Sequence, residues 1–261
     1  MTILVFASVM CAAVLHASWN AVLRGGSDRL WSMTLMMVAV VVVSSITLVF
    51  VPWPDAASWP YVMASAAVHV AYNIALVRTY AAGDLGQTYP ISRGSSPALV
   101  ALGAAMFAHE SLDASSCLGV ALISGGILSL ALQKGRLQVA YLPVAMLTGV
   151  LIGIYTVIDG IGVRLSGNSV SYTTSMFLLW GISMPPIFFM LRGRPPAYTR
   201  AQTTIALAGG LVSILAYGIV IWAMQYDAMG EVSALRENSA TRRLPGGLTI
   251  GDIRCWPCQR A

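Results

Sequence analysis

The chain of 261 residues has little charge: charged side chains make up 10% of it, against about 25% in an ordinary soluble domain. Its 15 basic and 10 acidic residues are too few to form the polar surface that a soluble globule needs. This shortage excludes a typical cytosolic enzyme, a nucleic-acid-binding domain and a disordered chain. Hydrophobic residues are abundant instead, at 57% with a mean hydropathy of +0.75, which is typical of a polytopic membrane protein.

Cysteine is also scarce, and the four present do not form a disulfide or metal framework. Cys11 and Cys117 lie in apolar runs, where we expect small buried residues. Cys255 and Cys258 form a CWPC sequence that looks like a redox motif, but no strand precedes it and no second cysteine pair completes a zinc site.

Motifs for nucleotide, metal and acyl chemistry are missing as well. The chain has no Walker loop, GxGxxG, HExxH or nucleophile elbow. We therefore expect no cofactor, no bound metal and no catalytic residue, and the chain is not expected to be an enzyme.

Long apolar runs predict an all-α membrane protein. Eight runs are long enough to span a bilayer as helices: 3–23, 31–51, 59–79, 86–108, 114–132, 139–163, 169–191 and 203–224. Because residues 1–14 have no basic segment and no clear cleavage site, we interpret them as part of the first span and not as a signal peptide.

The end of the chain changes character. A ninth hydrophobic stretch begins at Asp227 and reaches only about Ala240, and residues 241–261 are rich in Arg, Gly and Pro. Such a segment does not span a bilayer, because each charge at mid-span costs about 2.5–3.5 kcal/mol.

Basic residues predict the orientation and the location. The odd-numbered loops carry 8 Lys or Arg, against 1 in the even-numbered loops, which places the odd loops in the cytoplasm and the N-terminus outside. The basic tail opposes this orientation. We expect a multi-pass protein of the cell (inner) membrane, with the lipid bilayer and a small-molecule substrate as partners and nucleic acid excluded; a homodimer is left open.

Short internal matches indicate a repeat. Residues 71–74 (AYNI) resemble residues 216–219 (AYGI) at an offset of 145, and Arg93 matches Arg236 at an offset of 143. Two five-helix units would be inverted relative to each other, which is a common plan of transporters. The predicted units are a first five-helix repeat at 1–134, an incomplete second repeat at 135–240 and a polar tail at 241–261.

Four motifs resemble those of EamA-like proteins of the drug/metabolite transporter superfamily. They are LHASWNA at 15–21, YPISRGSSP at 89–97, YTVIDG at 155–160 and EVSALRE at 231–237. The resemblance covers about residues 3–239. It implies ten helices in two inverted repeats and the export or exchange of small metabolites through a central cavity. The tail departs from this pattern, and a reading-frame shift is our hypothesis for the departure.

The strongest candidate site lies in the fourth span. Pro90 and Pro97 interrupt helical hydrogen bonding around Arg93, and an intramembrane arginine is a functional-site hypothesis by default. Its guanidinium suits a substrate carboxylate or phosphate, and Tyr89 lies one turn away on the same face. Alternatively, Arg93 caps carbonyls or pairs with an acid such as Asp159 for structure.

Arg236 is the counterpart of Arg93, with Glu231 and Glu237 nearby. A carboxylate beside a cavity would bind and release a proton; the alternative is a fixed ion pair that holds the two repeats together. Glu237 is adjacent to Arg236, so we expect it to point away from the Arg236 face.

Further polar and aromatic residues are candidates for the cavity lining. His16 and Asn20 share a face of the first span beside Trp19, and His16 is a candidate for proton coupling. In the third span, His69, Tyr72 and Asn73 line one face, and Tyr217 holds the matching position in the eighth. These residues line a cavity or pack within a core.

In the sixth span, Tyr155 and Asp159 share a face. Asp159 lies close to Arg164, so an interfacial, solvated position is the alternative to a place in the cavity. Gly149 and Gly153 form a GxxxG motif, which favours close helix packing.

These observations predict a secondary transporter that exports a small metabolite by alternating access through a cavity at the midplane. The predicted substrate-binding residues are Trp19, Asn20, Tyr72, Tyr89, Arg93, Tyr155, Asp159, Tyr217 and Arg236, and the proton-coupling candidates are His16, Glu231 and Glu237. The alternatives are an inactive, truncated relative, or a membrane thiol oxidoreductase that uses the tail cysteines.

Overall fold

The computed structural model describes residues 1–81, 85–132 and 139–237, and within these ranges every regular element is helical. Nine α-helices follow one another within these described ranges: α1 Ile3–Gly25, α2 Arg29–Phe50, α3 Trp59–Ala81, α4 Leu85–Phe107, α5 Ala114–Leu132, α6 Leu142–Arg164, α7 Ser169–Arg192, α8 Arg200–Ala223 and α9 Met229–Glu237. Short 3₁₀ turns at Ala56–Ser58 and Val139–Tyr141 precede α3 and α6. The predicted tail at 241–261, with Cys255 and Cys258, lies outside the described residues.

Seven of these helices are long and apolar enough to cross a membrane, which confirms the all-helical, multi-pass prediction at that level. The long helix outside the seven is α4, which carries Arg93, two prolines and several hydroxyl and amide side chains. It packs against α5, α6 and α9, so its polar residues are buried inside the bundle instead of facing lipid.

Short polar caps start the helices where the sequence changes from loop to apolar run. The Asp28 carboxylate accepts from the Trp31 amide at α2, and the Asn168 side chain accepts from the Val170 and Ser171 amides at α7. Thr199 and Gln202 form a capping box at α8. Each cap satisfies amides that have no partner within the helix.

The helices of the bundle pack mainly against partners that are distant in the chain. The most extensive contacts are α1 with α8, α3 with α6, α2 with α7 and α8, and α4 with α5 and α6. α9 packs against α4 and α1. Large apolar residues such as Ile46, Val49 and Leu122 remain exposed on the outside of the bundle, as lipid-facing residues would.

Glycine brings α6 against α4. A Cβ at Gly149 would lie 2.9 Å from the Ser92 carbonyl oxygen, and one at Gly153 would lie 3.0 Å from the Leu99 Cβ. The GxxxG motif therefore permits this close approach, as its spacing indicated. The expectation that Cys11 and Cys117 are buried was wrong, because both are exposed. Apolar helices of a bundle also have outward faces, and these two cysteines lie on them.

Candidate functional site

The nine predicted binding residues are all buried, each at most 8% exposed. They come from α1 (Trp19, Asn20), α3 (Tyr72), α4 (Tyr89, Arg93), α6 (Tyr155, Asp159), α8 (Tyr217) and α9 (Arg236). Most of them form two connected clusters, one around Arg93 and one around Asp159, with an uncharged cavity beside them.

Arg93 is fully buried and bonded to side chains from three other helices. Its Nη2 donates to the Tyr72 hydroxyl at 3.0 Å and to Asn20 Oδ1 at 3.4 Å. Its Nη1 lies 3.4 Å from both carboxylate oxygens of Glu237. The acid paired with Arg93 is thus Glu237, whereas sequence reasoning had suggested Asp159.

The backbone around Arg93 is held by hydroxyl groups. Pro97 has no amide hydrogen, so it does not donate to the Arg93 carbonyl four residues earlier. The Ser96 hydroxyl donates to that carbonyl instead, at 3.1 Å. α4 therefore continues through Pro97 as a helix, and the expected disruption of its hydrogen bonding is compensated locally.

Glu237 lies between two arginines. Its Oε1 accepts from Arg236 Nε at 3.0 Å and lies 2.9 Å from Arg236 Nη2, while Arg93 approaches at 3.4 Å. The expectation that Glu237 points away from Arg236 was wrong. Both side chains are long, and they fold towards each other because a carboxylate that is 1% exposed needs cationic partners.

Asp159 forms the second cluster. Its carboxylate accepts from the Tyr217 hydroxyl at 2.5 Å and from the Tyr172 hydroxyl at 3.0 Å. Asp159 is fully buried, so the solvated, interfacial alternative was wrong. Five residues of helix rise about 7.5 Å, enough to separate it from Arg164 at the end of α6.

The charges of this region balance among the described residues. Two buried arginines, Arg93 and Arg236, are matched by two buried acids, Glu237 and Asp159. The ion pairs run through Glu237, while Asp159 is bound by neutral hydroxyls. A buried charge without compensation costs several kcal/mol, so each of these groups depends on its neighbours.

A small cavity of about 30 Å³ lies beside the two clusters. Its lining comes from α1, α2, α3, α6, α7 and α8: His16, Trp19, Met33, Met36, Met37, His69, Tyr72, Asn73, Tyr155, Phe177, Trp180, Ser213 and Tyr217. No residue of this lining carries a formal charge if both histidines are neutral. A volume of this size holds about two water molecules. The side chains at the centre of the bundle are therefore closely packed.

Aromatic rings form much of the cavity wall. The His69 ring stacks on Tyr155 with centroids 4.0 Å apart, and Trp180 lies 4.6 Å from it at a tilt of 39°. Tyr72 and Tyr217 contact His69 edge-on. The two tyrosines therefore connect the cavity with the ionic clusters, since their hydroxyls bind Arg93 and Asp159.

The remaining predicted residues occupy different places. Tyr89 lies outside the cavity lining, with its ring 5.6 Å from the Arg93 guanidinium carbon and 4.9 Å from that of Arg24. His16 lines the cavity. Glu231 lies apart from the centre: it accepts from the Ser116 hydroxyl on α5 and is partly exposed.

Sequence reasoning missed the contributions of α2 and α7. Met33, Met36 and Met37 on α2, with Phe177 and Trp180 on α7, line the cavity. Apolar residues within apolar spans carry no signal in the sequence that separates a cavity wall from lipid-facing or packed positions.

Among the described residues, no group of three or more His, Cys, Asp or Glu is placed to hold a metal ion.

Comparisons with known proteins inform the fold only. No family model matches the chain, and no curated protein matches it. A solved structure described as "Crystal structure of protein" is similar with a TM-score of 0.71 and 14% identity, covering 95% of this chain and 91% of that one. The chain thus shares its helical fold with a protein of known structure, over nearly the whole length of both.

Proposed function

We propose that this chain is a secondary transporter that exports a small metabolite by alternating access around the central cavity. The observation that carries the proposal is the placement of Arg93, Arg236, Glu237 and Asp159, all buried, next to a cavity reached by tyrosines from both halves. Intramembrane ionisable residues mark substrate and ion pathways by default.

Helix packing supports two inverted repeats. Adding five to each helix number converts the pair α1–α8 into α6–α3, α2–α8 into α7–α3 and α4–α6 into α9–α1, and all of these pairs are in contact. The pairs α2–α7 and α4–α9 are their own counterparts. This pattern is what a pseudo-twofold relation between two five-helix units would produce.

Side chains follow the same relation. In the first half, Arg93 binds the Tyr72 hydroxyl; in the second, the Arg236 guanidinium lies 5.9 Å from the Tyr217 ring. Tyr72 and Tyr217 are the residues that the internal sequence match had paired. A binding site at the interface of two such units fits the transporter plan.

The two ends of the bundle support a closed, central compartment. At one end Arg164 Nη2 pairs with Glu110 at 2.5 Å, and Glu110 also accepts from the Met229 amide at 3.0 Å. At the other end the Tyr198 hydroxyl donates to the Asp28 carbonyl at 2.9 Å and bonds the Ser32 hydroxyl at 2.8 Å. Alternating access requires such contacts to break in turn at each end.

The resemblance of four motifs to EamA-like transporters agrees with this proposal. The proposal includes an inner-membrane location with the odd loops in the cytoplasm. The drive would be a proton gradient or substrate exchange. Among the proton-coupling candidates, Glu237 and His16 are close to the centre, whereas Glu231 is peripheral.

Flux measurements test the proposal. The full chain is reconstituted in proteoliposomes and assayed for counterflow with a panel of labelled amino acids, nucleosides and organic acids. We expect at least one compound to be carried, Arg93→Ala to abolish its flux, and Arg200→Ala, an exposed arginine at the start of α8, to leave it unchanged.

Two results would favour other functions. Absence of flux that is restored by appending two apolar helices after residue 240 would favour the inactive relative. Loss of thiol oxidoreductase activity on changing Cys255 and Cys258 to Ser, together with flux that does not depend on Arg93, would favour the thiol oxidoreductase.

A further inference from the structure

The cavity lining contains buried polar atoms that lack hydrogen-bond partners within the described part of the chain. They are both amide atoms of Asn73, His16 Nε2 and Trp180 Nε1. Asn73 is fully buried, and His16 and Trp180 are 4% and 8% exposed. Because a buried donor or acceptor without a partner is costly, these atoms around one cavity indicate a ligand that completes them.

The hydrogen bond of His16 defines its tautomer. The Trp19 indole Nε1 is a donor only, and it donates to His16 Nδ1 at 3.3 Å. Nδ1 therefore carries no proton, and the proton of the ring is on Nε2. The cavity residues thus offer three kinds of donor, from His16, Trp180 and the Asn73 Nδ2, and one acceptor, Asn73 Oδ1.

The charged groups of the centre are engaged elsewhere. Arg93 and Arg236 both bind Glu237, and Asp159 is bound by the Tyr172 and Tyr217 hydroxyls. None of these four ionisable groups is part of the cavity lining. The lining therefore suits a neutral ligand better than an ion, because an ion in it would have no counter-charge of its own.

The cavity wall favours a planar ring. The His69 ring lies 4.0 Å from the Tyr155 ring and 4.6 Å from the Trp180 ring by centroid, and aromatic rings stack on such surfaces. Met33, Met36 and Met37 supply flexible, polarisable side chains that adapt to an inserted ligand.

From these features we propose that the cavity binds a neutral aromatic molecule with a carboxamide-type edge, that is, a carbonyl acceptor next to an N–H donor. Asn73 pairs with this edge through its own donor and acceptor, and the His16 and Trp180 N–H groups donate to the carbonyl or to a further acceptor of the ligand. This proposal rests on the proposed transport function, and it names the substrate class. The cavity of about 30 Å³ has to widen to admit such a ring.

Binding of small probes tests this proposal. The full chain in lipid nanodiscs is titrated with benzamide, benzoate and benzonitrile, and binding is followed by isothermal calorimetry and by quenching of tryptophan fluorescence. We expect saturable binding of benzamide, with benzoate and benzonitrile each weaker by about tenfold, the loss of one net hydrogen bond. Tighter binding of benzoate than of benzamide would overturn the proposal.

Variants locate the site. Asn73→Leu keeps the branched side-chain shape and removes both polar amide atoms, and it should weaken benzamide by about tenfold or more. Trp180→Phe keeps an aromatic ring, removes Nε1 and should weaken benzamide less. Ser124→Ala is the matched control, because the Ser124 hydroxyl is also buried without a partner among the described residues but lies on α5, outside the lining.

Failure of this proposal is distinguishable from failure of transport. If Asn73→Leu does not fold, Trp180→Phe alone decides, and unchanged benzamide affinity in it contradicts the site. Benzamide binding that depends on these residues without flux in proteoliposomes would support the site and contradict transport. Flux of another compound class, unaffected by Asn73→Leu and without benzamide binding, would support transport and contradict the site.

Discussion

Arg93 on α4 and Glu237 on α9 form a buried ion pair across 144 residues of sequence, with Nη1 3.4 Å from the carboxylate. Arg236 binds the same carboxylate at 2.9 Å. One acid thus pairs with two cations, and the buried Asp159 completes the charge balance of the region. The pairing agrees with the interpretation of a fixed ion pair between the two halves, and proton binding at Glu237 would require this pair to open.

Replacing Glu237 should destabilise the protein strongly. Glu237→Gln removes the carboxylate and leaves Arg93 and Arg236 facing each other, which we expect to cost about 3–5 kcal/mol. The measurement is unfolding of the purified protein in detergent, by heat or by denaturant. Glu231→Gln is the control, since that carboxylate is partly exposed and bonds the Ser116 hydroxyl; an equal loss in both variants would contradict the role of the central pair.

The two cavity tyrosines should be required for flux. Tyr72→Phe removes the hydroxyl that accepts from Arg93, and Tyr217→Phe removes the one that donates to Asp159. Each change leaves a buried charged group with one partner fewer, so we expect flux to fall by about tenfold or more. Tyr226→Phe, at a tyrosine 66% exposed, should leave the rate unchanged. Wild-type flux in either cavity variant would show that these contacts are structural only.

The contact between Arg164 and Glu110 should restrain one end of the bundle. Glu110→Gln weakens the pair and the bond to the Met229 amide, so this end should open more often. A Thr156→Cys reporter, fully buried on α6, placed in a background without other cysteines, should then react faster with a membrane-impermeant maleimide. Arg200→Gln, at an exposed position, serves as control; equal labelling rates with and without Glu110→Gln would refute the restraint.

The close packing of α6 on α4 should not tolerate a larger residue. Gly149→Ala places a methyl group 2.9 Å from the Ser92 carbonyl oxygen, and we expect a loss of about 1–3 kcal/mol in stability. Gly119→Ala on α5 meets no atom within 4 Å and should be neutral or stabilising, because alanine favours helices by up to about 1 kcal/mol over glycine. Parallel unfolding curves of both variants provide the measurement, and a stable Gly149→Ala would mean that the two helices have room to separate.

Local patterns were sufficient for several features of the site. Arg93 and Arg236 were identifiable because a charged side chain within an apolar run is energetically costly unless it is functional or paired. Helical spacing placed Tyr155 with Asp159, and His16 with Asn20, on shared faces. These inferences depend only on residue type and on the period of the helix.

Partners across helices were harder to foresee. The link between Arg93 and Glu237, the tyrosines around Asp159, and the α2 and α7 residues of the cavity all depend on how α-helices pack. In a chain where nearly every helix is apolar all round, hydrophobic periodicity does not indicate which face turns inwards.

The sequence by itself determined the class of the protein, because 10% charge and 57% hydrophobic residues suffice only for a bundle in a membrane. It also determined where the apolar helices run and that Arg93 and Arg236 lie within apolar stretches. Only the tertiary structure decided which acid compensates which arginine, and that Asn73, His16 and Trp180 meet at one cavity. Those relations join helices that are distant in the chain, and contact between them depends on packing geometry that residue order alone does not specify.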